Sequence, residues 1–456
     1  MTKEKTMAIE FDRRNVLKLG ATVGAGLAIG GVPASSAEEP KSSAAPHVKA
    51  APIDPVRIGF VGIGGRGSSL VRLLLELEGV EILAVCDLIE ERVAKAQRWV
   101  QDAGQPKPTG YFPGETDFKQ LCEREDLDLV VTATPWRWHV PVCVAAMKAG
   151  KHAATEVPAA VTIDECWQLV ETSEKHDRHC VMLENCCYGR TEMMVLNMVR
   201  KGLFGELIHG EAGYMHELRE DRELLGPGPS IEWRLEHMLR RNGNLYPTHG
   251  LGPVAQCMNI DRGDRFDFLV SMSSKSRGLN LHYAKRFGAD HPLAKHQYAL
   301  GDVNFSMIRT VNGCTIMVGH DTQLPRPYSR INTVQGTKGI FQGYPDRIHI
   351  ERDGAGHEWQ SPEKYRAEHE HPLWKELLER AEGKGHGGMD YMELYRLIQA
   401  LRTGTPPDMN VYDAASWSVV SGLSERSVAN KSRPVEFPDF TRGKWKTNPP
   451  LGIIGA

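Results

Sequence analysis

From residue 56 onward, short β-branched runs alternate with amphipathic stretches. Residues 56–63 read as a strand, the stretch through Glu78 as a helix, and residues 81–86 as a second strand. The alternation continues with strands at 127–134, 152–155 and 180–184 and helices at 139–149 and 163–176. Apolar strands separated by helical patterns predict an α/β Rossmann domain over residues 56–189, a doubly wound parallel sheet of roughly six strands. After Asn185 the strict alternation stops. Residues 192–201 read as a helix, and strands are expected at 207–214, 266–273, 298–310, 313–319, 330–335 and 347–351. Consecutive strands predict an antiparallel or mixed sheet in a C-terminal α+β domain over residues 190–437. Helices at 373–382, 389–403 and 411–428 close it, and residues 438–456 form a tail.

The first 55 residues follow neither pattern. Arg13 and Arg14 precede Val16, Leu17 and Lys18, and an apolar, Gly/Ala-rich run covers residues 19–32. Such a run reaches about 21 Å as a helix, short of the roughly 30 Å hydrocarbon core, so it reads as a signal-peptide core and not a membrane span. The twin arginines predict a twin-arginine signal peptide over residues 1–37, with Ser35-Ser36-Ala37 supplying small residues for cleavage. Residues 38–55, rich in Ala, Ser and Pro, read as a linker. Passage through the twin-arginine export machinery to the periplasm or beyond is the expectation, with the protein folded around its cofactor beforehand.

Composition removes several classes. Hydrophobic residues at 41% and charged residues at 25% exclude a disordered or collagen-like chain. A net charge of −3 leaves no footprint for nucleic acid. No other segment is long and apolar enough for membrane insertion. Nine cysteines in 456 residues do not make a disulfide scaffold, and adjacent Cys186 and Cys187 are expected to pack as free thiols.

The first strand runs into Gly62-Ile63-Gly64-Gly65-Arg66-Gly67 and then a helix. Gly62 permits a tight turn, Gly64 lets the backbone approach a pyrophosphate, and Gly67 lets helix and strand pack. Asp87 ends the second strand, twenty residues past Gly67, where an acid binds the adenosine ribose and repels a 2′-phosphate. NAD is therefore expected over NADP, with Arg66 near the pyrophosphate. Further strand ends carry Trp136, Glu156-Val157-Pro158 and Asn185, where ligands bind in such sheets. Tyr246-Pro247-Thr248-His249 reads as a helix start capped by Thr248. Tyr246 and His249 then share a face and form a proton-transfer pair. His369-Glu370-His371 lacks partners at ligand spacing and His320-Asp321 reads as a strand end, so no metal is expected. Gly385–Asp390 is either a lid or a lead-in to a helix.

The Rossmann pattern resembles the Gfo/Idh/MocA superfamily of sugar-active dehydrogenases. That superfamily couples such a domain to a large open, mostly antiparallel sheet, and its Glu-Lys-Pro hallmark carries a lysine that assists proton removal. Glu156-Val157-Pro158 stands in its place, without the lysine. A narrower set resembles glycoside hydrolase family 109 from about residue 56 to 437: Trp136-Arg137-Trp138-His139, Glu156-Val157-Pro158-Ala159, Glu184-Asn185, Trp233-Arg234, Tyr246-Pro247-Thr248-His249-Gly250 and Gly385-His386-Gly387-Gly388-Met389-Asp390. This resemblance implies an NAD-dependent α-N-acetylgalactosaminidase acting on terminal sugars of blood-group A or mucin-like glycans. It implies a tightly bound NAD, recycled each turnover through oxidation at C3, elimination, water addition and reduction. Gly62, Gly64, Gly65, Arg66, Gly67, Asp87, Trp136, Arg137, Trp138, His139, Glu156, Val157 and Asn185 would serve the cofactor. Tyr214, Arg234, Tyr246, Pro247, Thr248, His249 and Tyr328 would hold the sugar, with His249 and Tyr246 catalytic. The competing expectations are a periplasmic sugar oxidoreductase and a non-catalytic sugar sensor. An exposed sheet face would support a homodimer.

Overall fold

The computed structural model describes residue 48 and residues 51–220, 232–351 and 356–455. The expected leader and two-thirds of the linker, residues 38–47, 49 and 50, lie outside the described residues. Six parallel strands form the first sheet: β1 (Val56–Val61), β2 (Val80–Cys86), β3 (Thr109–Tyr111), β4 (Leu129–Thr132), β5 (His152–Thr155) and β6 (Cys180–Met182). Their order is β3-β2-β1-β4-β5-β6, the doubly wound Rossmann arrangement. Strands β4, β5 and β6 are buried along their whole length, which is why they read as unbroken apolar runs. β3 escaped the sequence pattern because it is three residues long and only half-buried.

The second sheet has eight strands: β7 (Leu207–Met215), β8 (Phe266–Ser273), β9 (Val303–Thr310), β10 (Thr315–Asp321), β11 (Thr333–Gly336), β12 (Gly339–Gln342), β13 (Arg347–Ile350) and β14 (Val435–Glu436). They run in the order β13-β12-β11-β7-β10-β9-β8-β14, and only β7 and β10 pair in parallel. This is the open, mostly antiparallel sheet expected. Along β9, buried Asn304, Ser306, Ile308 and Thr310 alternate with exposed Phe305, Met307 and Arg309. One face therefore packs inward, and the other carries apolar side chains to the surface.

The inner face is covered by helices, and these tie the two sheets together. Helix Thr248–Cys257 packs on β7 and on the short turn Asn185–Tyr188 that follows β6. Helix Met389–Thr403 packs on that turn and on helix Gly65–Leu74 behind the glycine-rich loop. Helix Val411–Ser418 packs on helix Ile163–His176, where Ser418 Oγ accepts a hydrogen bond from the Ala159 N–H at 3.0 Å. Residues 389–418 thus pack mainly on the first sheet and its helices, although the sequence placed them in the C-terminal domain. The final residues are also anchored: Phe440 is buried against Trp167 with ring centroids 4.7 Å apart. All nine cysteines are free thiols, eight of them buried.

The approach of helix Thr248–Cys257 to β7 depends on Gly250, since a Cβ there would lie 2.2 Å from the Gly213 nitrogen. Gly250→Ala is expected to lower stability by about 1–3 kcal/mol, read from urea titration, because backbone must move to admit one methyl.

Candidate active site

The glycine-rich turn has the shape of a dinucleotide cradle. Gly62 sits at φ +90°, and a Cβ on Gly67 would fall 1.8 Å from the Gly62 carbonyl oxygen. At Gly65 a Cβ would meet nothing within 4 Å, and at Gly64 only the tip of Arg92 at 3.9 Å. Backbone packs where the turn needs closeness and leaves open space where a pyrophosphate must approach. Asp87 closes the turn by accepting from the Ile63 N–H at 2.7 Å and the Ile89 N–H at 3.0 Å. Arg92 lies 3.6 Å from the same carboxylate, a cation beside the ribose-binding acid that the sequence pattern did not single out. The residues present therefore fit NAD.

Arg66 does not point freely toward a phosphate. Its Nε donates to Glu156 Oε1 at 2.6 Å, and its Nη1 donates to Asp390 Oδ2. Asp390 is fully buried and also accepts from Asn185 Nδ2 at 2.7 Å and contacts His386 Nδ1 at 2.9 Å. Burial alone would raise the Asp390 pKa, but His386 and Arg66 hold it well below the carboxylate range. Three residues further along the helix, burial pushes the Glu393 carboxyl far up, reinforced by Glu156. The 385–390 segment is thus both a helix lead-in and a strap fastened to the glycine-rich loop. Glu156 and Asn185, expected at the nicotinamide end, are engaged in this same network.

The motif 136–139 divides by direction. Trp136 is buried against Trp233 and Tyr246, with centroids 4.8 and 5.8 Å away. Trp138 packs instead on Phe118 at 5.8 Å, and Arg137 pairs with Glu115 at the surface. His139 is buried with its two ring nitrogens 2.8 Å from the carbonyls of Pro158 and Thr134. Trp138, Arg137 and His139 are thus each held by protein partners, while Trp136 turns toward Tyr246. Val157, where the superfamily lysine would stand, is buried at 3% exposure.

Helix Thr248–Cys257 carries His249 in its first turn, and Tyr246 lies just ahead of it. His249 Nδ1 lies 2.7 Å from Glu184 Oε1, and His249 Nε2 lies 3.5 Å from the Tyr246 hydroxyl. Against a carboxylate, Nδ1 must donate, which leaves Nε2 to accept. Burial would raise Glu184, yet the His249 imidazole, helped by Thr248 and the Cys186 N–H, holds it below its usual 4.5. Burial pushes the Tyr246 phenol well above its usual 10, so Tyr246 stays protonated and donates. Thr248 is not the cap: Pro247 is already helical in backbone, and no side-chain cap bond forms.

Around this relay lies an aromatic wall. The Tyr214 ring is 4.4 Å from Tyr246 and its hydroxyl 3.0 Å from His216 Nδ1. Tyr328 packs edge-on to His216 at 5.0 Å. The Arg234 guanidinium lies over Trp136, Trp233 and Tyr246 at 5.1–5.5 Å. Glu184, Cys186 and His249 each offer a ligand atom within 4.8 Å of the others. The Cys186 thiol is held protonated by burial and donates to Asn185 Oδ1 at 3.5 Å, so this cluster reads as a hydrogen-bond network. His369-Glu370-His371 is likewise structural: Glu370 accepts from Arg190, and the His371 Nε2–H donates to the Ile453 carbonyl. Glu184, Asp390 and Arg92 are the site groups that sequence reasoning left without a role. Glu184 and Asp390 sat inside quoted motifs, whereas Arg92 carried no signal beyond a helix start.

A Rossmann turn of this kind facing an open-sheet domain across a buried relay defines an NAD-binding, Gfo/Idh/MocA-like architecture. Residues 56–184 match the oxidoreductase family with an NAD-binding Rossmann fold, and residues 188–447 match the glycosyl hydrolase 109 C-terminal domain. The chain belongs to glycosyl hydrolase family 109. It is 50% identical over 457 residues to a glycosyl hydrolase family 109 protein of Shewanella pealeana, covering 98% of this chain and 100% of that one. It is 48% identical over 455 residues to the alpha-N-acetylgalactosaminidase of Shewanella oneidensis, covering 97% and 99%. In fold it resembles levoglucosan dehydrogenase solved with NADH and levoglucosan, at a TM-score of 0.63, 20% identity and coverage of 84% of this chain and 100% of that one. A dehydrogenase fold thus carries a glycosidase family's sequence.

The Glu184–His249 contact generates a pH prediction. Folded Glu184 titrates below its unfolded value of about 4.5, so its contribution to stability is complete above that pH and is lost as pH falls through the lower folded value. Glu184→Gln should lower stability clearly at about pH 6 and much less at about pH 3, by urea titration at each pH. An equal loss at both pH values would mean that the carboxylate's charge is not what matters.

Proposed function

We propose that this protein releases terminal α-linked N-acetylgalactosamine by an NAD-dependent oxidation–elimination–addition–reduction cycle. The observation that carries the reading is the Glu184–His249–Tyr246 relay at the seam with an NAD-binding sheet. Ordinary glycosidases work with two carboxylates flanking the scissile bond. In this site the one carboxylate in contact with His249 is fully buried and spent on orienting it.

Bound NAD supplies hydride acceptance from C3 and hydride return, and the C3 ketone makes the neighbouring C2 hydrogen acidic. The chain's own task is proton handling. His249 Nε2 is the base, because Glu184 fixes Nδ1–H and stabilises the imidazolium that results. Tyr246, held protonated, is the donor that returns protons. Tyr214, Arg234 and Tyr328 orient the sugar, and Trp136 with Trp233 keeps water out. The strap through Asp390 and Arg66 retains NAD between turnovers, so that one bound molecule is recycled. That retention suits export through the twin-arginine route, which the Arg13-Arg14 leader supports. The homodimer reading draws support from the open sheet face, where Met272 and Phe305 are cross-strand neighbours and both exposed.

Three outcomes are expected. His249→Ala should keep NAD bound while turnover falls by about 10²–10⁴-fold, measured with an aryl α-N-acetylgalactosaminide. Asp390→Ala should copurify with less NAD and lose it faster on dialysis, by absorbance of the released dinucleotide. Wild-type protein in heavy water, without added NAD, should release aglycone and place deuterium at C2 of the freed sugar. Accumulation of NADH from free sugars, with no aglycone released, would favour the oxidoreductase.

A further inference from the structure

Between β8 and β9 the chain leaves the second sheet and builds a small hairpin of helices. Helix Gly278–Phe287 packs against the short helix Pro292–Lys295, and Asn280 Nδ2 ties them by donating to the carbonyls of Ala294 and His296 at 3.0 and 2.8 Å. Leu279 and Tyr283 are buried and anchor the hairpin. Asp302 fixes its entry by accepting from the Arg277 and Gly278 N–H groups, both at 2.8 Å. The first helix starts hard against the end of β10: a Cβ on Gly278 would lie 2.2 Å from the Gln323 carbonyl oxygen. That strand end is bound to the loop after β7, where the His216 N–H donates to the Asp321 carbonyl at 2.8 Å and the Leu218 N–H to that of Thr322 at 3.1 Å. The hairpin therefore stands on the strand ends that carry Tyr214 and His216, at the rim of the proposed sugar site.

Its charge is unlike that of the rest of the chain. Residues 275–298 hold five Lys and Arg against one Asp, where the whole sequence has 55 Lys and Arg against 58 Asp and Glu. All five cations are exposed. Asp290 pairs with Lys295 at 2.7 Å, and Lys275, Arg277, Lys285 and Arg286 have no ion pair among the described residues. Nearby acids do little to offset them. Asp302 bonds to backbone, and on the loop beside His282 Glu217 accepts from Arg219 Nε at 2.9 Å, which leaves Glu220. Helix electrostatics accounts for half of the excess: Lys285 and Arg286 sit in the last turn, where the dipole favours cations. Lys275 and Arg277 sit just ahead of the first turn, where the dipole disfavours them. Cations gathered against that preference and without counter-charges raise the local potential, and such a potential at the mouth of a cleft draws in anionic ligands.

We propose that this hairpin is a docking surface for anionic glycans, on which Lys275, Arg277, Lys285 and Arg286 receive carboxylate or sulfate groups of the chain that carries the terminal sugar. The inference rests on the glycosidase reading and deepens it by naming the charge of the carrier. A membrane surface fits the hairpin less well. Leu281 and Phe287 are the exposed large apolar residues of its first helix, and six positions at 3.6 per turn set them about 120° apart, so they form no single stripe to insert.

The test uses a fluorescently labelled mucin-type glycopeptide with terminal N-acetylgalactosamine, sulfated or unsulfated on its inner sugars, bound to the NAD-loaded protein and read by anisotropy. Wild type should bind the sulfated form about tenfold more tightly in about 20 mM salt, and the difference should vanish by about 500 mM. Lys275→Glu, Lys285→Glu and Arg286→Glu together should abolish the preference while turnover of the neutral aryl glycoside stays at the wild-type rate, which also shows that the variant folds. Lys275→Arg with Lys285→Arg should keep the preference. Equal binding of the two forms by wild type, or a preference that survives the charge reversal, would overturn the docking surface. Equal binding together with cosedimentation on phosphatidylglycerol vesicles, lost on charge reversal, would overturn it in favour of a lipid surface. A sulfate preference in a protein that cleaves neither the glycopeptide nor the aryl glycoside would end the glycosidase reading and leave the docking surface standing.

Discussion

The active seam depends on one buried charge arrangement. Arg66, from the glycine-rich turn, is gripped by Glu156 from the end of β5 and by Asp390 from the C-terminal half. Asp390 also holds Asn185 from the end of β6. A fully buried carboxylate is tolerable only when its partners compensate for lost water, and removing one partner leaves the other charge uncompensated. Asp390 has such partners; Glu393, one turn along, has no hydrogen-bond partner at either carboxylate oxygen among the described residues, and burial pushes its pKa far up. This division fixes where helix Met389–Thr403 can sit, and with it the distance between the cofactor turn and the second sheet.

The proton relay crosses the same seam by the same logic. Glu184 closes the Rossmann sheet and His249 opens a helix on the second sheet, so their 2.7 Å contact sets one domain's chemistry against the other's cofactor. Burial acts on both ends of the relay in opposite senses. It would neutralise Glu184, but the imidazole prevents this; it also raises Tyr246, and the lowering by Arg234 does not offset that rise. The result is a carboxylate, an imidazole whose Nε2 faces the Tyr246 hydroxyl at 3.5 Å, and a protonated phenol. Acid and base are thereby separated by environment and not by residue type.

Features encoded locally were legible in the sequence. The glycine turn, the apolar runs of β1, β4 and β5, and the Tyr246–His249 spacing each lie within a few residues. β12 and β14 were not legible: β12 buries only Phe341, so no apolar run marks it, and β14 is two residues long, too short for a period to register. The Arg66–Asp390 pair spans 324 residues and exists only through tertiary packing. Trp136 and Trp138 looked equivalent in sequence, yet they lie in a 3₁₀ turn of three residues per turn, which sends neighbours in different directions.

The absence of a lysine at position 157 follows from this arrangement. A lysine there would place an ammonium on the buried shoulder of Glu156, which already accepts from Arg66. Two cations would then compete for one carboxylate in a region where burial makes an unpaired charge costly. With valine in place, Arg66 keeps Glu156, Asp390 keeps Arg66, and the cofactor turn stays strapped. In the proposed cycle proton removal comes instead from the other side of the cleft, where His249 contacts Glu184. Val157 and the Glu184–His249 pair fit together in that reading: Glu156 is engaged by Arg66, and the group proposed for proton transfer stands on a helix of the second sheet.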